Sequence, residues 1–119
     1  MSAAAEDRGH DPAGRIGLLV RIQVLYVPGC PGATTLTTRL TQLLSGQTEI
    51  EQQVIDDLDQ ATMLGMTGSP TLLVDGSDPF AVAGLPASLS CRLYRDENGS
   101  ISRAPSLAQL RAVFGTLLG

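Results

Sequence analysis

The sequence predicts an α/β fold: a mixed β-sheet flanked by helices, with an extra hairpin before the C-terminal helix. Three observations lead there. A run rich in β-branched residues, Arg21–Val27, passes through Pro28-Gly29 into a segment of helical spacing. Strand and helix patterns then alternate, and a strand, helix, strand start implies a parallel pair joined by a crossover helix. Finally, Asp96-Glu97-Asn98-Gly99 carries the strongest hairpin signal in the chain, an Asn-Gly turn between two short β-like runs.

The elements follow in order. Residues 1–15 are mostly Ala, Gly and charged residues and read as a disordered tail, with residues 16–119 as one domain. The single histidine, His10, falls in that tail with no partner to orient it, so a Cys–His dyad is not expected. Arg21–Val27 reads as a buried strand. From Pro31 to Ser45, apolar residues at Ala33, Leu36, Leu40, Leu43 and Leu44 keep helical spacing, and Gly46 supplies a helix stop. Glu49–Ile55 reads as a second strand.

Asp56-Asp57 can cap a short helix running to about Leu64 and ended by Gly65. Capping and a solvated face account for the acidic cluster of Asp56, Asp57 and Asp59. Thr71–Val74, between Ser69-Pro70 and Asp75-Gly76, reads as the third strand. Residues 77–90 form a long connection. Cys91–Arg95 and Ser100–Arg103 are the predicted arms of the hairpin. Ser106 can cap a last helix with Leu107, Leu110, Val113, Phe114 and Leu117 on one face.

Composition sets bounds on chemistry. The chain has 119 residues, 43% of them hydrophobic, which suits one modest core. All eight basic residues are Arg, which rules out Schiff-base lysine chemistry and a P-loop lysine. The formal charge is −4 with no basic run, a poor match to nucleic acid. The apolar stretch Ile16–Val20 is too short to span a bilayer, and Met1–Arg15 lacks signal-peptide order. The sequence therefore reads as soluble and cytoplasmic, with no membrane or nucleic-acid partner and no cofactor. In that setting two cysteines are expected as reduced thiols rather than a structural bridge.

Cys30 is the leading candidate for chemistry. It falls at the N-cap position of the first helix, with Pro31 at N1, where the missing N–H of proline is harmless. The unpaired N–H groups and the dipole of the helix then face the sulfur and favour thiolate over thiol. Such a thiolate is a nucleophile.

The order of these segments resembles the thioredoxin/glutaredoxin superfamily over about Arg21 to Leu118. The matching residues are Val24-Leu25-Tyr26-Val27-Pro28-Gly29-Cys30-Pro31, then Gly68-Ser69-Pro70-Thr71-Leu72-Leu73-Val74, then Ala104-Pro105-Ser106. The resemblance implies a thioredoxin-like sheet, Cys30 as nucleophile, and a cis peptide at Pro70 beside its sulfur. It places substrate against Pro31, Ser69, Pro70 and Thr71. Two departures matter. The dithiol position three residues after Cys30 is Ala33, and the strand leading to Cys30 contains no acid.

A narrower resemblance rests on Gly68–Gly76, Asp78-Pro79-Phe80 and Leu89-Ser90-Cys91-Arg92-Leu93-Tyr94. In this order they resemble small bacterial thioredoxin-like proteins, some of which are labelled alkylmercury lyase. Three functions stay open at this point. The first is a thiol–disulfide oxidoreductase in which Cys30 attacks a disulfide and Cys91 or a small thiol resolves it. The second is mercury or organomercurial binding or cleavage by Cys30 and Cys91, because soft thiolates suit soft metals. The third is a non-catalytic binding module. The topology implied by the resemblance brings Cys91 to the Cys30 end of the sheet. The competing layout pairs Cys91–Arg95 antiparallel with the third strand and carries Cys91 to the opposite end.

Overall fold

The computed structural model of the chain describes residues 20–45 and 48–118. The predicted tail at 1–15, His10 and the helix stop at Gly46 lie outside the described residues.

Strand β1, Ile22–Tyr26, is the centre of the fold. Its residues Ile22 to Leu25 are all buried, which is possible only if both faces of the strand are covered. On one side it pairs in parallel with β2, Ile50–Val54, from Ile22 opposite Ile50 to Tyr26 opposite Val54. On the other it pairs antiparallel with β4, Thr71–Val74, with Leu25 opposite Thr71 and Ile22 opposite Val74. The sheet order is thus β2-β1-β4, and the sheet is mixed.

Helix α1, Pro31–Leu44, crosses over between β1 and β2. Leu36, Leu40 and Leu44 repeat every four residues, so they form one stripe that is buried against Ile22, Val24 and Leu72. The helix ends when Ser45 takes the left-handed conformation (φ 52°) and returns its N–H to the Thr41 carbonyl at 2.9 Å. Helix α3, Leu107–Leu118, packs Leu110 and Phe114 into the same cluster. Its start is a reciprocal cap. The Ser106 hydroxyl accepts the Gln109 N–H, and the Gln109 side-chain oxygen accepts the Ser106 N–H.

The opposite face of β1 carries Leu25 into a second cluster with Ile55, Ala61, Met66 and Leu73. Ala61 comes from helix α2, Leu58–Leu64, which is capped by the Asp57 carboxylate on the Asp59 N–H and ended by Gly65 at φ 77°. The capping role read for Asp57 and the stop read for Gly65 are both seen.

Two elements differ from the sequence reading. A strand β3, Thr67–Ser69, precedes Pro70, and it pairs in parallel with β5, Ser88–Cys91. Nothing in Thr-Gly-Ser carries a strand pattern, so the edge made by β3 is a consequence of tertiary pairing. Cys91 therefore closes β5 rather than opening a hairpin arm. The hairpin is correspondingly short, β6 Tyr94–Arg95 against β7 Ile101–Ser102. Its turn is held by the Asp96 carboxylate, which accepts the N–H groups of Asn98 and Ser100, and by Gly99 at φ 82°.

No helix among the described residues is long and apolar enough to cross a membrane.

Candidate functional site

The C-terminal end of β1 delivers the chain through the exposed Pro28-Gly29 turn to Cys30, whose N–H returns to the Val27 carbonyl at 3.2 Å. Gly29 adopts φ 79°, the left-handed region that glycine enters without strain. Cys30 is the N-cap of α1 in an extended conformation, and Pro31 follows at N1. The Cys30 side chain makes no capping hydrogen bond, and the first turn carries no acid. The thiol is half-buried and packs against the core cluster below it.

Pro70 stands next to this turn. The Ser69-Pro70 peptide is cis, as the resemblance implied. A Cβ on Gly32 would lie 2.9 Å from the Pro70 ring and 2.5 Å from the Arg103 carbonyl oxygen, so the first turn of α1 is seated on both. Arg39 completes this seat from the next turns of the helix, donating to the Pro105 carbonyl at 2.7 Å.

Of the residues expected to meet substrate, Pro31 is exposed, whereas Ser69, Pro70 and Thr71 are fully buried. The Ser69 hydroxyl accepts the Val27 N–H at 3.0 Å, and the Thr71 hydroxyl donates to the Gly68 carbonyl at 2.6 Å. These side chains fix the backbone around Pro70 and are satisfied within the protein.

Cys91 is exposed. It lies in register with Ser69, just before Pro70, and it closes a strand parallel to β3 instead of opening the hairpin arm that both layouts assumed. The antiparallel pairing of Cys91–Arg95 with Thr71–Val74 is not formed. Both cysteines are free thiols. Cys91 borders an open groove of about 550 Å³, whose walls include Phe80, Val82, Leu85 and Leu93.

One group near the site escaped the sequence reading. Arg92 is buried, and its guanidinium binds the buried Asp78 carboxylate at 2.7 Å, the Thr71 hydroxyl at 3.2 Å and the Phe80 carbonyl at 2.8 Å. It also lies 4.7 Å over the Tyr94 ring, which meets Phe80 edge to face at 5.8 Å. The Tyr94 hydroxyl donates to the Pro70 carbonyl. Burial pushes the Tyr94 phenol well above its ordinary range, against the opposing pull of the Arg92 charge. The available signal was the two-residue spacing of Arg92 and Tyr94, which puts both on one side of an extended segment. Among the described residues no group of three or more His, Cys, Asp and Glu side chains could hold a metal ion.

Comparison with protein-family models, with curated proteins and with solved structures returns no match. The functional reading therefore rests on the residues of this chain.

Proposed function

We propose that the protein is a thiol–disulfide oxidoreductase with Cys30 as its nucleophile, working in a reducing, cytoplasmic setting. The observation that carries this reading is the placement of Cys30 at the uncapped N-terminus of α1, with Pro31 at N1 and the Pro70 ring packed against the same turn. The sulfur stands uncapped at the start of the helix, and it is as the thiolate that a cysteine attacks disulfides. The β2-β1-β4 order, with β1 and β2 parallel and β4 antiparallel, supports the thioredoxin-like resemblance that suggested the reaction.

The chemistry balances as two exchanges. The Cys30 thiolate attacks one sulfur of a disulfide, that S–S bond breaks, and the departing thiolate takes a proton from water. A mixed disulfide now joins Cys30 to the other half. A small-molecule thiol then attacks as its thiolate and releases the bound half, and a second molecule of that thiol frees Cys30 if the first remains attached. The substrate disulfide gains two electrons and the thiols lose two. Ala33 occupies the dithiol position, so resolution falls to an external thiol or to Cys91.

Reduction of bis(2-hydroxyethyl) disulfide with glutathione as the reductant tests the reading. Wild type and Cys91→Ser should turn over, and Cys30→Ser should lose at least about a hundredfold in rate, since the nucleophile itself is gone. Equal rates for Cys30→Ser and wild type would refute it. Cleavage of a carbon–mercury bond that needs both thiols would instead support the mercurial function.

A further inference from the structure

Extended polypeptides dock beside a strand by adding their own backbone to a free edge, where N–H and C=O groups supply the affinity. In this protein the edge next to Pro70 is already occupied by the chain itself. Thr67 faces Ser88 and Ser69 faces Cys91 across the parallel β3–β5 pair. The Met66 carbonyl accepts the Ser88 N–H at 3.0 Å, and the Ser69 carbonyl accepts the Arg92 N–H at 2.9 Å. The Gly68 carbonyl between them is taken by the Thr71 hydroxyl.

The fit is close as well as bonded. Gly68 adopts φ 145°, and a Cβ there would lie 2.7 Å from the Arg92 Cβ and 3.3 Å from the Ser90 carbonyl oxygen. Only glycine allows the 88–92 segment to approach this far. Immediately after β5, the Arg92 guanidinium is tied to Asp78, Thr71 and the Phe80 carbonyl and lies over the Tyr94 ring. A charge with that many partners resists leaving, since exposing half of a buried pair strands the other half.

We infer that β5 is a built-in cover for the backbone edge beside Pro70, and that it restricts Cys30 to small disulfides by excluding extended polypeptide disulfides. The inference rests on the reading of Cys30 as a nucleophile. Small molecules keep a route to it, because Pro28, Gly29 and Pro31 around the half-buried thiol are exposed.

The test compares two disulfides on the full chain: oxidised glutathione, and a peptide of about ten residues dimerised through a central cysteine, long enough to add a strand. Each rate is divided by that of the same disulfide with free 2-mercaptoethanol, which removes its intrinsic reactivity. The peptide should then react at least about tenfold more slowly than glutathione disulfide, because its docking edge is closed. The double variant Asp78→Leu/Arg92→Pro removes the Arg92 N–H and the guanidinium without leaving a lone buried charge. It should raise the normalised peptide rate about tenfold and leave the glutathione rate within about twofold.

Hydrogen exchange on the wild type gives a readout that survives a failure of the variant to fold. The Ser88 and Arg92 amides should be protected like those of β1. Exchange there as fast as in an unstructured peptide would overturn the inference. Equal normalised rates for the two disulfides would also overturn it while leaving Cys30 as nucleophile. Reaction with neither disulfide would instead remove the reading of Cys30, and this inference with it.

Discussion

Tyr94 ties the buried Arg92 cluster to the backbone at Pro70, and its phenol gives that tie a pH signature. The hydroxyl donates to the Pro70 carbonyl, and burial holds it in the protonated form well past the ordinary value of 10.0. In the unfolded chain the phenol ionises near that ordinary value. Below it both states keep the proton, so the stabilisation is complete. Above it the unfolded state binds fewer protons than the native state, so stability falls as pH rises toward the folded value. One such group gives a slope of up to about 1.4 kcal/mol per pH unit. The chain contains no lysine, so no side-chain ammonium titrates in the same window. Urea unfolding between pH 8 and pH 11 should show this loss in wild type, and Tyr94→Phe should remove that part of the slope. Tyr94→Phe should also lower stability by about 1–3 kcal/mol at neutral pH, because the Pro70 carbonyl loses its buried donor. An unchanged alkaline slope in the variant would mean that Tyr94 is not the group responsible.

Helix α1 shows how an element is placed by a residue that propensity alone would remove. Glycine in a helix is about 1 kcal/mol worse than alanine. At Gly32 that preference is overruled, since a Cβ would come within 2.5 Å of the Arg103 carbonyl oxygen, a backbone atom that cannot simply rotate away. Gly115 in α3 is the natural control, exposed and with nothing within 4 Å of its missing Cβ. Gly115→Ala should therefore stabilise by roughly the helix-propensity difference of ~1 kcal/mol. Gly32→Ala should destabilise by about 1–3 kcal/mol, the usual range for overpacking. It should also change the alkylation rate of Cys30, because the first turn must move off Pro70. Urea midpoints of the two variants decide the matter. A Gly32→Ala protein as stable as wild type would show that the helix start is not seated on Arg103. Opposite signs for the same substitution in two helices separate packing from propensity in a way that either variant alone does not.

The whole molecule is organised by one strand with a core on each face, and that also explains which parts were legible in the sequence. The run from Arg21 to Val27 announced a buried strand because both faces of β1 are covered, and the Leu36, Leu40, Leu44 stripe announced the helix that covers one of them. Cys30 and Pro31 could be read because they sit where local rules act, at a strand end and a helix start, whereas the cis form of the Ser69-Pro70 peptide was expected only from the resemblance. The β3–β5 pair could not be read, and of the Arg92 ion cluster only the two-residue spacing of Arg92 and Tyr94 was local. Thr67–Ser69 becomes a strand only because Ser88–Cys91 reaches it, and Asp78 and Arg92 are distant in sequence with no local pattern to join them. Leu36 belongs to the cluster on one face of the sheet and Met66 to the cluster on the other. Leu36→Ala and Met66→Ala should each lower stability by about 2–5 kcal/mol through lost burial and a residual cavity. Because the two sites share no cluster, the double variant should lose the sum to within about 0.5 kcal/mol, the tolerance expected of independent positions. Both faces hang on β1, so a domain of this size should still unfold in one step. Far-ultraviolet circular dichroism reports the backbone, and tyrosine fluorescence reports Tyr26 at the end of β1 and Tyr94 at the Pro70 carbonyl. The two transitions should coincide in urea for wild type and for both single variants. Separate midpoints would show that one face can melt while the other stays folded, and would remove β1 as the common support of the site.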